Sequence, residues 1–194
     1  MRKNLCRLLS ALLVLALPLC AGNILINPGF ETGDFTGWTT SGNFEFTYVV
    51  SGGFYAYTGA QAGDYYAVMG PVGSDGILSQ SFADIAGETY NFSFWINAIG
   101  DQYSDFAAYW NAVPLVSLSD PTTDGAWTQI GTGLLSFTQT GSGNDTISFH
   151  FRDDPAFIAL DSVSVDRSGN APEPATFLLV GAGLILFGYR FRRS

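Results

Sequence analysis

From about residue 23 to residue 166 the chain alternates short apolar runs with clusters of Gly, Asp, Ser and Asn, and no window sustains a helical period. This pattern predicts strands near Ile24–Ile26, Phe44–Val50, Tyr65–Met69, Ile77–Phe82, Thr89–Asn97, Phe106–Trp110, Leu115–Leu118, Trp127–Gly131, Leu134–Thr138, Thr146–Arg152 and Ala156–Val165. Many short strands with turn residues between them predict an all-β sandwich or barrel. Two segments fix the inward face. Tyr90, Phe92, Phe94 and Ile96 alternate with Asn91, Ser93, Trp95 and Asn97, so the first set faces the core. Ile147, Phe149 and Phe151 likewise face in, which leaves Ser148, His150 and Arg152 on the outer face. The last segment breaks parity: Ile158 and Leu160 share one face, Val163 and Val165 the other. A β-bulge near Asp161-Ser162 would turn both pairs inward.

The two ends have a different pattern. Arg2, Lys3 and Arg7 precede an apolar run from Leu8 to Leu19, and small residues follow at Ala21 and Gly22. That order predicts a secretory signal peptide over residues 1–22, too short for an ordinary spanning helix. Cys20 has Leu19 before it rather than the small residue that lipid attachment favours. At the other end Pro172 and Pro174 form a stiff spacer, Ala175 to Tyr189 is apolar, and Arg190, Arg192 and Arg193 follow. This predicts a single transmembrane helix and basic tail over 175–194, with the arginines cytoplasmic and the body outside. The expected division is therefore a signal at 1–22, a β domain at 23–166, a linker at 167–174 and the membrane tail.

Composition narrows the chemistry of the body. Both cysteines, Cys6 and Cys20, and the sole lysine, Lys3, lie in the leader. The body keeps Arg152 and Arg167 against sixteen acids, a net charge of about −14. Such a surface is a poor nucleic-acid binder, because phosphate neutralisation needs a basic face. Cysteine nucleophiles, cysteine-rich zinc sites and lysine Schiff bases are excluded. His150 is the one histidine, so a multi-histidine metal site cannot form within the chain. Oxygen ligands for hard cations remain.

Pro172-Glu173-Pro174, the short apolar helix and the terminal arginine cluster together resemble a PEP-CTERM sorting signal. The resemblance implies an inner-membrane intermediate and cleavage by exosortase near Pro172, Glu173 and Pro174. It also implies delivery to the envelope or extracellular matrix of a Gram-negative exopolysaccharide producer. Arg190, Arg192 and Arg193 would be the basic anchor of that tail.

The body carries a second resemblance. NPGFETGDFTGW at Asn27–Trp38, ETYNFSFW, DFAAYWNAVPLV, AWTQI and FIALDSVSV occur in the order seen in jelly-roll, galactose-binding-like domains of carbohydrate-binding modules. This implies an antiparallel jelly-roll β-sandwich whose opening segment neighbours its last strand, with structural Ca2+ between them. Asn27, Glu31, Asp64 and Asp161 are the expected ligands, although the closing motif has Ser162 where such domains often carry a second aspartate. Glycan binding would use exposed aromatics, with Tyr55, Tyr57, Trp95 and Tyr103 foremost and Tyr109 and Trp110 also available, while Trp38 and Trp127 read as core residues. The expected role is a non-enzymatic envelope or matrix protein that binds exopolysaccharide or another glycan. The alternative is a small jelly-roll glycan hydrolase, for which Glu45 is the candidate carboxylate.

Overall fold

The computed structural model describes residues 22–168 except 101, 134 and 135. The signal peptide, the linker motif and the membrane tail lie outside the described residues.

Eleven strands follow in order: β1 (Thr39–Gly42), β2 (Thr47–Ser51), β3 (Tyr65–Met69), β4 (Gly76–Ala83), β5 (Thr89–Ala98), β6 (Ser104–Trp110), β7 (Val113–Ser119), β8 (Thr128–Ile130), β9 (Phe137–Thr140), β10 (Asn144–Asp153) and β11 (Ile158–Arg167). They form two antiparallel sheets. One runs β1-β4-β10-β6-β7; the other runs β2-β3-β11-β5-β8, with β9 also paired to β5. The non-consecutive orders arise because the chain crosses repeatedly between sheets, as a jelly roll does.

Alternation produces this arrangement. On β10 Asp145, Ile147, Phe149, Phe151 and Asp153 are buried, and the residues between them are half-exposed. On β5 Tyr90, Phe92, Phe94 and Ile96 are buried. The two inner faces meet at Phe149, whose ring lies 5.1 Å from Phe94, 5.7 Å from Phe106 and 6.0 Å from Phe92. The edge and tilted geometries suit rings with negative faces and positive edges. Trp38 adds to this core and is 8% exposed. Asn23–Ser168 forms one compact unit, and this core lies wholly inside it.

The parity break resolves as a bulge. Asp161 pairs with Trp95 but Ser164 pairs with Ser93, so β11 carries one extra residue there. Ser162 takes the left-handed conformation, φ 48°. Ile158, Leu160, Val163 and Val165 consequently all reach the core.

Three segments differ from expectation. Ile24–Ile26 is not a strand: Ile26 gives its N–H to Gln80 Oε1 at 2.6 Å and takes Gln80 Nε2 on its carbonyl at 2.9 Å. A buried amide side chain does the work of a neighbouring strand. Phe44–Phe46 turns before β2 because Asn43 caps the Glu45 N–H and Phe46 adopts φ 54°. Strand β1 was not expected, since Thr39–Gly42 is exposed throughout and has no apolar alternation.

Candidate functional site

The opening segment folds onto the last strand, and the bulge is the reason. It releases the Val163 backbone from the β5 ladder. Val163 N–H then donates to the Pro28 carbonyl at 2.9 Å, and the Val163 carbonyl accepts Asn23 Nδ2 at 2.7 Å. This brings Glu31 and Asp161 to one loop, residues 59–65. Asp161 Oδ2 accepts the N–H groups of Gln61 at 2.8 Å and Ala62 at 3.1 Å, while Oδ1 accepts the Ser162 N–H. Glu31 Oε2 accepts from Asp64 N at 3.0 Å and Oε1 from Tyr65 N at 3.2 Å. Gly63 sits between these grips at φ 70°, where a Cβ would fall 2.3 Å from Glu31 Oε1. Beside the clamp is a cleft of about 370 Å³, bounded by Pro28, Gly29, Glu31, Gly63 and Ser162.

Asp161 is fully buried, and burial pushes its carboxyl up to about 6; the charge on Glu31 pushes the same way, against the three backbone N–H bonds. Both carboxylates border the open side of Gly29: a Cβ there would lie 3.4 Å from Asp161 Oδ1 and 3.9 Å from Glu31 Oε1. Among the described residues no group of three or more Asp, Glu, His or Cys is placed to hold a metal ion. Glu31 and Asp161 are the two expected ligands that the fold brings together, and each of their oxygens accepts a backbone N–H.

The other two expected ligands have different roles. Asn27 spends its side chain within its own loop, donating Nδ2 to Thr32 Oγ1 at 2.7 Å and to the Asp34 and Thr36 carbonyls, and accepting Thr32 N–H. Asp64 brings its backbone N–H to Glu31, and its side chain is exposed. Asp34, held below the usual carboxylate range by bonds from Thr32 and Thr36, completes the Asn27 loop.

The expected sugar-stacking aromatics are dispersed. Tyr57 is 3% exposed, with its hydroxyl bonded to the Phe157 carbonyl, and belongs to a second hydrophobic cluster with Tyr66, Val68 and Ala159. That cluster covers part of the outer face of the six-stranded sheet, where Trp127 also packs, its Nε1 bonded to Gly59 O at 3.1 Å. Trp95 is half-buried on β5 beside Asp161. Tyr55 (62% exposed) and Tyr103 (70%) stand on two separate loops.

The outer face of the five-stranded sheet carries an uncovered cleft of about 550 Å³. Ile77 and Ser79 come from β4, Thr146, Ser148 and His150 from β10, and Tyr109 from β6. Registration aligns them: Ser148 lies opposite Ser79 on one side and Tyr109 on the other. The Tyr109 and His150 rings lie 4.4 Å apart, tilted 42°, and form an aromatic platform. Hydroxyls line the floor, with Ser81 Oγ and Thr146 Oγ1 in contact at 2.7 Å just beyond. On the same face Arg152 and Asp105 neutralise each other at 3.1 Å. Alternation placed these side chains outward, but only the β4-β10-β6 order makes them neighbours.

Glu45, the carboxylate of the hydrolase alternative, is exposed in the turn before β2.

Solved structures of similar fold include TmCBM61 in complex with beta-1,4-galactotriose, at 23% identity and TM-score 0.53, covering 75% of this chain and 99% of that one. The K1 cleaved adhesin domain of Lys-gingipain from Porphyromonas gingivalis W83 matches at 16% identity and TM-score 0.52, covering 73% and 96%. The enzymatically active domain of bacteriophage CBA120 tailspike protein 4 matches at 14% identity and TM-score 0.52, covering 75% of this chain and 21% of that one. At these identities the likeness is one of fold. No curated protein matches the chain. Residues 170–193 match the PEP-CTERM protein-sorting motif, the mark of an exported protein with a C-terminal membrane anchor before processing.

Proposed function

We propose that this is a non-enzymatic envelope or matrix protein that binds a glycan in the cleft on the outer face of its five-stranded sheet. The observation that carries the reading is the Tyr109–His150 platform set in a row of hydroxyls. Aromatic rings stack on the apolar faces of sugar rings, while Ser79, Thr146, Ser148 and Asn111 offer partners to sugar hydroxyls. The fold is one that holds beta-1,4-galactotriose in TmCBM61. The sorting motif supports delivery by exosortase from an inner-membrane intermediate to the envelope or matrix, in a host that makes exopolysaccharide. Cleavage then falls near Pro172, Glu173 and Pro174, with Arg190, Arg192 and Arg193 as the cytoplasmic stop. Calcium held by Glu31 and Asp161 would tie the opening segment to the last strand in a body without disulfides, adding its binding energy to stability.

A polysaccharide and oligosaccharide array probed with the detergent-solubilised chain tests the reading. Binding that Tyr109→Ala weakens about tenfold or more supports it; an array with no ligand, or one whose ligands bind Tyr109→Ala as tightly as wild type, overturns it.

A further inference from the structure

The cleft ends at the β6–β7 turn, where Asn111 and Ala112 take φ of 47° and 63°. Asparagine tolerates that region but alanine does not, so the turn is held against the preference of Ala112. The Asn111 side chain holds it: Oδ1 accepts Thr146 N–H at 2.9 Å, and Nδ2 donates to Asp145 Oδ1 at 2.6 Å. Asp145 is fully buried and also accepts Trp110 Nε1–H at 3.2 Å, Ser142 N–H at 3.2 Å and the Ser142 hydroxyl.

A second carboxyl lies against it. Asp84, on the loop after β4, accepts the N–H of Gly143, the amide next to the one that Asp145 grips. Adjacent amides thus hold the two carboxyl groups side by side. Asp84 Oδ2 is buried and receives no N–H or O–H donor among the described residues. Two ionised carboxylates held on adjacent amides, one oxygen shut away from donors, is a costly arrangement; one hydrogen between them removes the repulsion and satisfies that oxygen. The titratable groups nearest them are otherwise engaged: Glu88 pairs with Arg167 at 2.7 Å, and the Tyr90 hydroxyl accepts Ile85 N–H. Arg152, paired with Asp105, and His150, on Tyr109, lie farther along β10 toward its other end.

We propose that Asp84 and Asp145 share one proton, carried on Asp84, and that this bond, acting through Asn111, sets the end wall of the cleft, so that glycan affinity falls when the proton leaves. The inference rests on the cleft being the glycan site and adds a regulation of it. In the shared state the Asp84 O–H donates to the Asp145 carboxylate; on deprotonation the proton passes to solvent and leaves two like charges around the groups that orient Asn111. The directions agree: burial and then Asp145 raise Asp84 above the usual carboxylate value, while bonds from Asp84, Ser142 and Asn111 overcome burial and bring Asp145 down to about 2. Asp145 is a positioning residue, since it reaches the cleft only through Asn111.

Two readouts on the detergent-solubilised chain test this. The first follows the Trp110 indole N–H by nitrogen-15 NMR from pH 3.5 to 8, assigned with Trp110→Phe. The proposal expects a step above the ordinary aspartate value of 3.8 that Asp84→Asn removes, because the amide N–H donates to Asp145 at every pH. A wild-type trace without that step, or a step that persists in Asp84→Asn, overturns it whether or not a glycan is bound. The second is affinity electrophoresis in the array-selected polysaccharide, read as a ratio to Asp84→Asn at each pH. Wild type should weaken several-fold across the same pH step while Asp84→Asn holds its affinity. A step in the indole trace with no change in that affinity ratio overturns the link to the cleft. An array that yields no ligand overturns the glycan reading and that link, and leaves the shared proton to be decided by the indole trace.

Discussion

Asp161→Asn isolates the buried carboxylate of the clamp. In the fold this carboxyl is pushed up to about 6 from 3.8, chiefly by burial. The folded chain therefore binds the proton more tightly than the unfolded chain. Its contribution is complete below pH 3.8 and is lost as the pH rises through about 6. Roughly 2 pH units correspond to about 3 kcal/mol, which we reduce to about 2 kcal/mol for solvent in the adjoining cleft. Urea unfolding of the metal-free chain at pH 4 and pH 7.5 provides the assay. Wild type should lose about 2 kcal/mol relative to Asp161→Asn over that interval, since the amide has no proton to lose. Millimolar calcium should restore wild type at pH 7.5 and leave Asp161→Asn unmoved. A wild-type-to-mutant difference that is the same at both pH values would refute the reasoning about burial, and one indifferent to calcium would remove the metal.

Three other substitutions examine the frame around the sites. Gly63→Ala should cost about 2 kcal/mol or more in chemical denaturation, since alanine meets both a left-handed backbone and the Glu31 carboxylate. Phe149→Ala should cost about 3–5 kcal/mol, because its cavity opens beneath Phe92, Phe94 and Phe106. Asn27→Ala should lower stability by about 1–2 kcal/mol through its loop bonds yet leave the calcium response intact, as measured by titration calorimetry.

The fold was legible wherever burial imposes a period. Strands β4 and β10 alternate cleanly, as β5 does from Tyr90 to Ile96, and the parity break at Asp161-Ser162 pointed to the bulge that joins the two ends. Strand β1 was hidden because polar Thr39–Ser41 earns its place through backbone pairing to β4 alone. Ile24–Ile26 was misread because its partner is the amide of Gln80, which apolar patterning does not register. Glu31 and Asp161 were paired by resemblance, but the N–H groups that occupy them come from a loop whose path no periodicity encodes. Tyr57 was indistinguishable from Tyr55 in sequence; one is buried against Phe157 and the other is exposed. The cleft itself was concealed by topology, since β4, β6 and β10 become neighbours only after two crossovers.

The most direct test of the account is the dissociation constant of the array-selected glycan for wild type, Tyr109→Ala and Tyr103→Ala, measured by titration calorimetry. The cleft on the five-stranded sheet predicts roughly tenfold or greater weakening, about 1.4 kcal/mol, for Tyr109→Ala and no change for the loop residue Tyr103. Full affinity in Tyr109→Ala, with the loss appearing instead in Tyr103→Ala, would contradict it and move the site to the loops.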